Sequence, residues 1–188
     1  MRLPILQTER TTLRVPERKD VPKICKYYLQ NRQFLAPYEP VRSEKFYTKK
    51  YWNDRVKQSR DEFYADIACR FFIYAKTDNE PIIGAINFTM IERGPSDSCR
   101  LGYGLSREYE GKGYMSEALQ AGIHFVFETL NIHRIDACYM PKNVRSGRLL
   151  ERLGFEVIGL ARDYLFIDGQ WEDHLLTCLL NPKWHGAT

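Results

Sequence analysis

The chain has 188 residues, 44% of them hydrophobic and 28% charged, with a formal net charge of +4. That length is enough for one well-buried core, and five scattered cysteines, Cys25, Cys69, Cys99, Cys138 and Cys178, with no C-x-x-C pair, exclude a disulfide framework and are expected as buried reduced thiols. The basic residues are spread rather than run together, which fits an anionic small ligand or a loose association with RNA and marks no nucleic-acid groove. The opening stretch MRLPILQTER is charged and lacks an apolar signal core, and no later run reaches the length of a membrane span, so a cytoplasmic location without membrane contact is expected.

In chain order, Thr11 to Val15 reads as a first strand ended by Pro16. From Asp20, a plausible N-cap, the spacing of Val21, Ile24, Tyr27 or Tyr28 and Phe34 predicts an amphipathic helix that stops near Asn31, with Pro22 tolerated in its first turn. Phe34 to Val41, FLAPYEPV, holds two prolines and is expected as a rigid loop. Ser43 begins a second helix that carries Phe46, Tyr47, Tyr51, Val56 and Phe63 on its apolar stripe, on to about Ala68. The period then becomes alternating. Phe71 to Lys76, Pro81 to Met90 and Arg100 to Ser106 predict three antiparallel strands, with turns at Thr77 to Glu80 and Arg93 to Asp97.

A glycine-bearing turn follows and opens a helix, from about Met115 to Leu130, with Met115, Leu119, Ile123, Val126, Phe127 and Leu130 on one face. Gly122 inside it suggests close packing on a sheet. His124 and His133 have no Cys or His partner at ligand spacing, so no zinc site is proposed. Arg134 to Tyr139 reads as a strand. Asn143 then caps a short helix that buries Leu149, Leu150 and Leu153 and ends at Gly154. Phe155 to Ile167 and Trp171 to Leu180 predict a last hairpin across Asp168-Gly169.

The stretch from Gly102 to Leu119, GYGLSREYEGKGYMSEAL, organises the rest. The first N–H groups of a helix have no partner within it, and glycines let the backbone approach a ligand closely, so strand, glycine turn and helix in that order form a place for phosphate. Neither the dinucleotide nor the P-loop signature is complete: there is no Gly-Lys-Ser/Thr and no second Gly-x-x-Gly spacing. A purely structural turn is the alternative.

The segments EGKGYM and YMPKNVRSGRLLERLGF, in this order of elements, resemble the GNAT superfamily of N-acetyltransferases. YYLQNRQFLAPYEPVR and DYLFIDGQWEDHLLT further resemble its RimJ/RimL branch, the RimJ type of ribosomal-protein alanine N-acetyltransferase. The likeness runs from about Thr11 to Trp184. It implies an α/β fold, a mixed, mostly antiparallel central sheet of about seven strands, splayed at the acetyl-CoA site and flanked by four helices, in a single domain over residues 1–188. One departure stands out: the superfamily's pyrophosphate motif begins with Gln or Arg where this chain has Glu110, expected to face solvent.

By this resemblance Gly104, Leu105 and Ser106 would pair with the pantetheine arm of acetyl-CoA as an added strand does, and Gly111, Lys112, Gly113, Tyr114 and Met115 would cradle its pyrophosphate. Asn143 and Ser146 match the family's Asn-x-x-Ser, with an N-cap and a helix-surface serine as the structural alternative. The implied reaction is direct attack of an N-terminal alanine amine of a small-subunit ribosomal protein on the thioester. An α-amine, with a pKa of about 8, needs no strong base. Ser146 is the candidate hydroxyl for the departing thiolate; Glu39, Tyr103, Asp163 and Tyr164 are candidate bases acting through water, each with surface charge or core packing as the alternative. The loop from Phe34 to Val41, with Phe34, Tyr38 and Glu39, is the candidate acceptor wall, together with Asp163 and Tyr164; a packed helix connector is its alternative. Acetyl-CoA is the expected co-substrate, without a metal. Partners are the ribosomal protein's N-terminus and, further out, the ribosome, in a monomer or homodimer. Transfer to a small amine, or a non-catalytic module that binds acyl-CoA or ribosomal RNA, are the alternatives.

Overall fold

Residues Cys69–Ala75 bury both of their faces, with Phe71 and Ile73 in one core and Phe72 and Tyr74 in another. A strand of this kind must lie inside a sheet covered on both sides. The computed structural model, which describes residues 3–186, has it as the third of eight strands: β1 (Ile5–Gln7), β2 (Thr11–Arg14), β3 (Cys69–Ala75), β4 (Ile82–Glu92), β5 (Ser98–Leu105), β6 (Arg134–Tyr139), β7 (Glu156–Ile167) and β8 (Gln170–Leu180). Their spatial order is β1-β2-β3-β4-β5-β6-β8-β7. Helices α1 (Val21–Leu35) and α2 (Lys49–Tyr64) cover the face of Phe72 and Tyr74, and α3 (Tyr114–Glu128) and α4 (Val144–Arg152) cover the other. No helix among the described residues is long and apolar enough to cross a membrane. Residues 1, 2, 187 and 188 of the expected 1–188 domain lie outside the described residues.

The mixed α/β arrangement agrees with the expected fold class, with one strand more than about seven. The additional strand is β1, which pairs with β2 across a turn where the Thr8 N–H donates to the Thr11 carbonyl at 2.9 Å. Three residues are too few for an alternating pattern to register. Helix α1 runs four residues past Asn31, because the buried stripe Ile24, Tyr27, Asn31 and Leu35 continues at helical spacing. Phe34 is therefore helical, and Ala36–Tyr38 is a 3-10 turn rather than an irregular loop. Asp20 sits at the capping position but makes no side-chain cap; its carboxylate turns to Arg14 instead.

The second helix begins at Thr48, whose Oγ1 accepts from the Tyr51 N–H, and ends at Tyr64, not at Ala68. The predicted start at Ser43 leads into a separate 3-10 turn, Glu44–Tyr47. The buried stripe of α2 is Trp52, Val56, Ser59 and Phe63, so Tyr51 is exposed. The expected packing at Gly122 is present: a Cβ there would sit 3.1 Å from Phe88. Leu149 and Leu150 are buried as expected, whereas Leu153 is half-buried. Cys25, Cys69 and Cys99 are buried and all five cysteines are unpaired, with Cys138 and Cys178 only partly covered.

The feature that positions the site is an opening between two strands. β5 and β6 run parallel and pair from Ser98 with Arg134 only as far as Leu101 with Ala137. Beyond that, Gly102 to Leu105 stay paired with β4, so the β6-facing side of this half of β5 is open. The β7–β8 hairpin extends past the end of β6, where Tyr139 meets Leu175, and its tip reaches the segment after α1: the Asp168 N–H donates to the Glu39 carbonyl at 3.1 Å.

Candidate active site

Main-chain direction along β5 follows from the antiparallel ladder. The Ser106 N–H donates to the Ile83 carbonyl at 2.7 Å, and hydrogen-bonded pairs recur every second residue, so Gly104 and Gly102 also face β4. Tyr103 and Leu105 direct their N–H and C=O groups into the opening. Of the three residues expected to hold an extended ligand arm, Leu105 is thus placed to do so through its main chain. Ser106 is not: its N–H is bound to β4 and its hydroxyl donates to Asn31 Oδ1 at 3.0 Å. Gly104 turns its main chain to β4, and a Cβ there would make ordinary contacts, 3.7 Å from the Tyr27 hydroxyl and 3.8 Å from Leu35.

Asn31 is a residue that sequence reasoning missed. It is 5% exposed, on the apolar stripe of α1, and its Oδ1 accepts both the Ser106 hydroxyl and the Arg107 N–H at 3.2 Å, while its Nδ2 donates to the Tyr27 carbonyl. It fixes the end of β5 where the strand gives way to the glycine turn. The available signal was an amide at a position whose i−4 and i+4 neighbours, Tyr27 and Leu35, are both core residues.

The turn itself has Gly111 at φ +70° and Gly113 at φ +82°, the left-handed region that side chains resist. Gly113 occupies the N-cap of α3 without a side-chain cap, and the first intrahelical bond runs from the Glu117 N–H to the Gly113 carbonyl. The N–H groups of Tyr114, Met115 and Ser116 are therefore left for a ligand. Met115 contributes main chain only, its side chain being buried, and Lys112 turns back to donate to the Glu108 carbonyl. Arg10, also missed, braces the loop from β2's approach: its guanidinium donates to the Lys112 carbonyl at 2.9 Å and to the Glu117 carboxylate at 2.7 Å, and lies over the Tyr114 ring. Gly113→Ala forces a Cβ onto the left-handed backbone and to within 3.3 Å of Arg10. A loss of about 1–2 kcal/mol is expected, checked by urea unfolding of the two proteins.

On the α3–α4 side of the opening two hydroxyls meet. Tyr103 Oη lies 2.6 Å from Ser146 Oγ. Ser146 is fixed from behind, its N–H donating to the Asn143 side chain at 3.2 Å, so Asn143 is the helix cap and the serine hydroxyl is turned to Tyr103 instead of to the helix surface. Gly147 allows this fit, because a Cβ there would come within 2.6 Å of the Tyr139 ring. Burial pushes the Tyr103 phenol up to about 12, against a smaller lowering by the Ser146 hydrogen bond. The phenol therefore stays protonated at neutral pH, with its hydroxyl hydrogen-bonded to Ser146.

On the opposite face, Tyr28, Leu35, Glu39, Arg42, Tyr47 and Asp168 line a concavity beside the end of α1. Glu39 is half-buried with Arg42 on its carboxylate at 3.3 Å. Tyr38 is 45% exposed and Phe34 half-buried among the aromatics of α1 and α2. Asp163, at φ +45° in a bulge of β7, and Tyr164, against His174, stand on the β7–β8 hairpin and hydrogen-bond neither Tyr103 nor Ser146. Glu110 does not face solvent as expected: its carboxylate bonds the Arg145 guanidinium on α4. Among the described residues no group of three or more His, Cys, Asp or Glu side chains is arranged to hold a metal.

Comparison with known proteins gives the same picture from outside. Residues 10–156 match the family described as Acetyltransferase (GNAT) domain. The [Ribosomal protein uS5]-alanine N-acetyltransferase of Escherichia coli is 45% identical over 179 residues, covering 95% of this chain and 92% of that protein. The crystal structure of a ribosomal-protein-S5-alanine acetyltransferase from Vibrio fischeri superposes with a TM-score of 0.93 at 37% identity, over 97% of this chain and 99% of that one. Mycobacterium smegmatis RimJ in complex with CoA-disulfide superposes with a TM-score of 0.86 at 25% identity, over 95% of this chain and 86% of the other.

Proposed function

We propose, from the premise that this chain belongs to the GNAT acetyltransferases, that it is an acetyl-CoA-dependent enzyme that acetylates the N-terminal alanine of ribosomal protein uS5. The observation that carries the chemistry is the Tyr103–Ser146 hydroxyl pair at the throat of the opening between β5 and β6. The substrate assignment rests on the identity with the E. coli enzyme over nearly the whole chain. On this reading residues 1–188 make a single cytoplasmic acetyltransferase domain with the ribosomal protein as its partner.

The residues fit the co-substrate. The free N–H groups at the start of α3, behind two left-handed glycines, suit a diphosphate, and the unpaired side of β5 at Tyr103 and Leu105 suits the amides of a pantetheine arm. The amine nitrogen attacks the thioester carbon, and the oxyanion that forms is held by a β5 N–H, for which Leu105 is the candidate. As the carbon–sulfur bond breaks, the Ser146 hydroxyl gives its proton to the sulfur and is resupplied by Tyr103, which regains a proton from solvent. The proton lost from the attacking nitrogen leaves through water, with Glu39 at the acceptor side to receive it.

The acceptor concavity carries Arg32 and Arg42 beside Glu39 and Asp168. Balanced charge there favours a peptide N-terminus over a polycationic amine, which would need several unpaired carboxylates. Glu110, the carboxylate beside the pyrophosphate cradle, is drawn to the Arg145 guanidinium on α4. The test is intact-mass spectrometry of unacetylated uS5 incubated with the enzyme and isotope-labelled acetyl-CoA, followed by peptide mapping. Label on the N-terminal alanine alone is expected; label on a lysine, or on none of the protein's amines, would refute the assignment.

A further inference from the structure

Two of the cations around the diphosphate cradle are already committed within it. Arg10 is bound to Glu117 and the Lys112 carbonyl, and Lys112 to the Glu108 carbonyl. Arg145 differs. It stands in the first turn of α4, the second residue after the Asn143 cap, where the helix dipole is positive and a cation is disfavoured. Its side chain is 78% exposed, and its hydrogen-bond partner among the described residues is Glu110, the residue immediately before Gly111. That ion pair joins the cradle to the first turn of α4.

The cradle before α3 thus carries, through Glu110, a guanidinium from the first turn of α4, and the anion present there is a carboxylate of the protein's own. An ion pair this exposed is worth little in water, because both charges are well hydrated and two long side chains must be held still. A phosphate offers the same guanidinium more oxygens and a second negative charge, with the α3 N–H groups donating to it at the same time. Glu110 has a poor claim by comparison once a phosphate arrives.

We propose that Arg145 is a phosphate ligand of the acyl-CoA and that Glu110 occupies its guanidinium until a CoA phosphate displaces it. This rests on the acetyl-CoA reading above. It gives the carboxylate at position 110 a role: it holds Arg145 over the cradle in the absence of ligand and is exchanged for a phosphate oxygen on binding.

The test is calorimetric titration of three probes, CoA, dephospho-CoA and pantetheine, into the wild type, Arg145→Ala and Glu110→Gln. In Arg145→Ala the Kd for CoA is expected to rise about tenfold or more, as for loss of a charged hydrogen bond, while the Kd for pantetheine, which has no phosphate diester, does not follow it. If dephospho-CoA shows the same rise, the ligand is the diphosphate; if only CoA shows it, the 3′-phosphate. Either supports the assignment. In Glu110→Gln the Kd for CoA is expected to fall, because the internal competitor is gone. A rise of less than about twofold in Arg145→Ala, a parallel rise for pantetheine, or unchanged or weaker CoA binding in Glu110→Gln would overturn the proposal. A wild type that binds no CoA at all would instead refute the acetyl-CoA reading from which it starts.

Discussion

Ser146→Ala is expected to lower kcat about a hundredfold, with the KM for acetyl-CoA changed by less than about threefold. The hydroxyl is needed when the sulfur departs, not when the co-substrate docks, and the cap between Asn143 and the residue-146 N–H survives the substitution. Tyr103→Phe should cost less, since Ser146 can still donate and be resupplied by water. Because the two hydroxyls are in contact at 2.6 Å and act as one relay, the double variant is expected to fall little below Ser146→Ala. The pH profile separates the roles. A donor must be protonated, and burial holds Tyr103 up to about 12, so activity should rise as the acceptor amine loses its proton near about 8 and should not fall again below about pH 11. A descending limb near about 10, absent in Tyr103→Phe, would keep the phenol in the relay but place it in its ordinary range, whereas a Tyr103→Phe variant with unchanged kcat would remove it from the relay.

Asp20→Ala is expected to destabilise the protein by about 3–5 kcal/mol, measured by urea unfolding near neutral pH. The Asp20 carboxylate has only 3% of its side chain exposed and receives two bonds from the Arg14 guanidinium, at 2.6 and 2.7 Å, and one from the Glu17 N–H at 2.8 Å. Removing it leaves Arg14, half-buried over the Tyr74 ring, without its anion. Desolvation alone would raise the carboxyl's pKa, but the Arg14 and Glu17 bonds outweigh it and hold it below its ordinary value of 3.8. A folded-state pKa that is depressed contributes stability above the unfolded value, lost as pH falls through the folded one. The wild type's excess over Asp20→Ala should therefore be constant above about pH 5 and shrink below about pH 4. An excess that is unchanged down to about pH 2 would mean that the pair contributes nothing through its charge.

Much of this site was legible in the residues. Gly111 and Gly113 before an apolar-periodic helix announced an open helix start, because only a backbone at positive φ turns that sharply and only a helix N-terminus leaves several N–H groups together. Asn143 announced the cap of α4, and Asp168-Gly169 the tip of the last hairpin. These are local rules, acting within a few residues of chain. The strands were equally plain where they were long, and β1, with three residues, was not. The tail of α1 was misread because Pro37 spoke against helix, while the core contact of Leu35 that keeps it helical comes from elsewhere in the chain.

What the tertiary structure alone decided is how distant residues combine. Tyr103 and Ser146 are 43 positions apart, and nothing local says that their hydroxyls touch or that burial raises the phenol's pKa. Asn31 reaches Ser106 across 75 positions, and Arg10 reaches Glu117 across 107. Glu110 looked like a departure to be hidden in solvent until α4 brought Arg145 to it. The chain's own order settles helix starts, turns and strand faces, because those depend on φ, on unpaired N–H groups and on period. Charge neutralisation and proton affinity depend on what packs alongside, and only the folded sheet, parted between β5 and β6, supplies those neighbours.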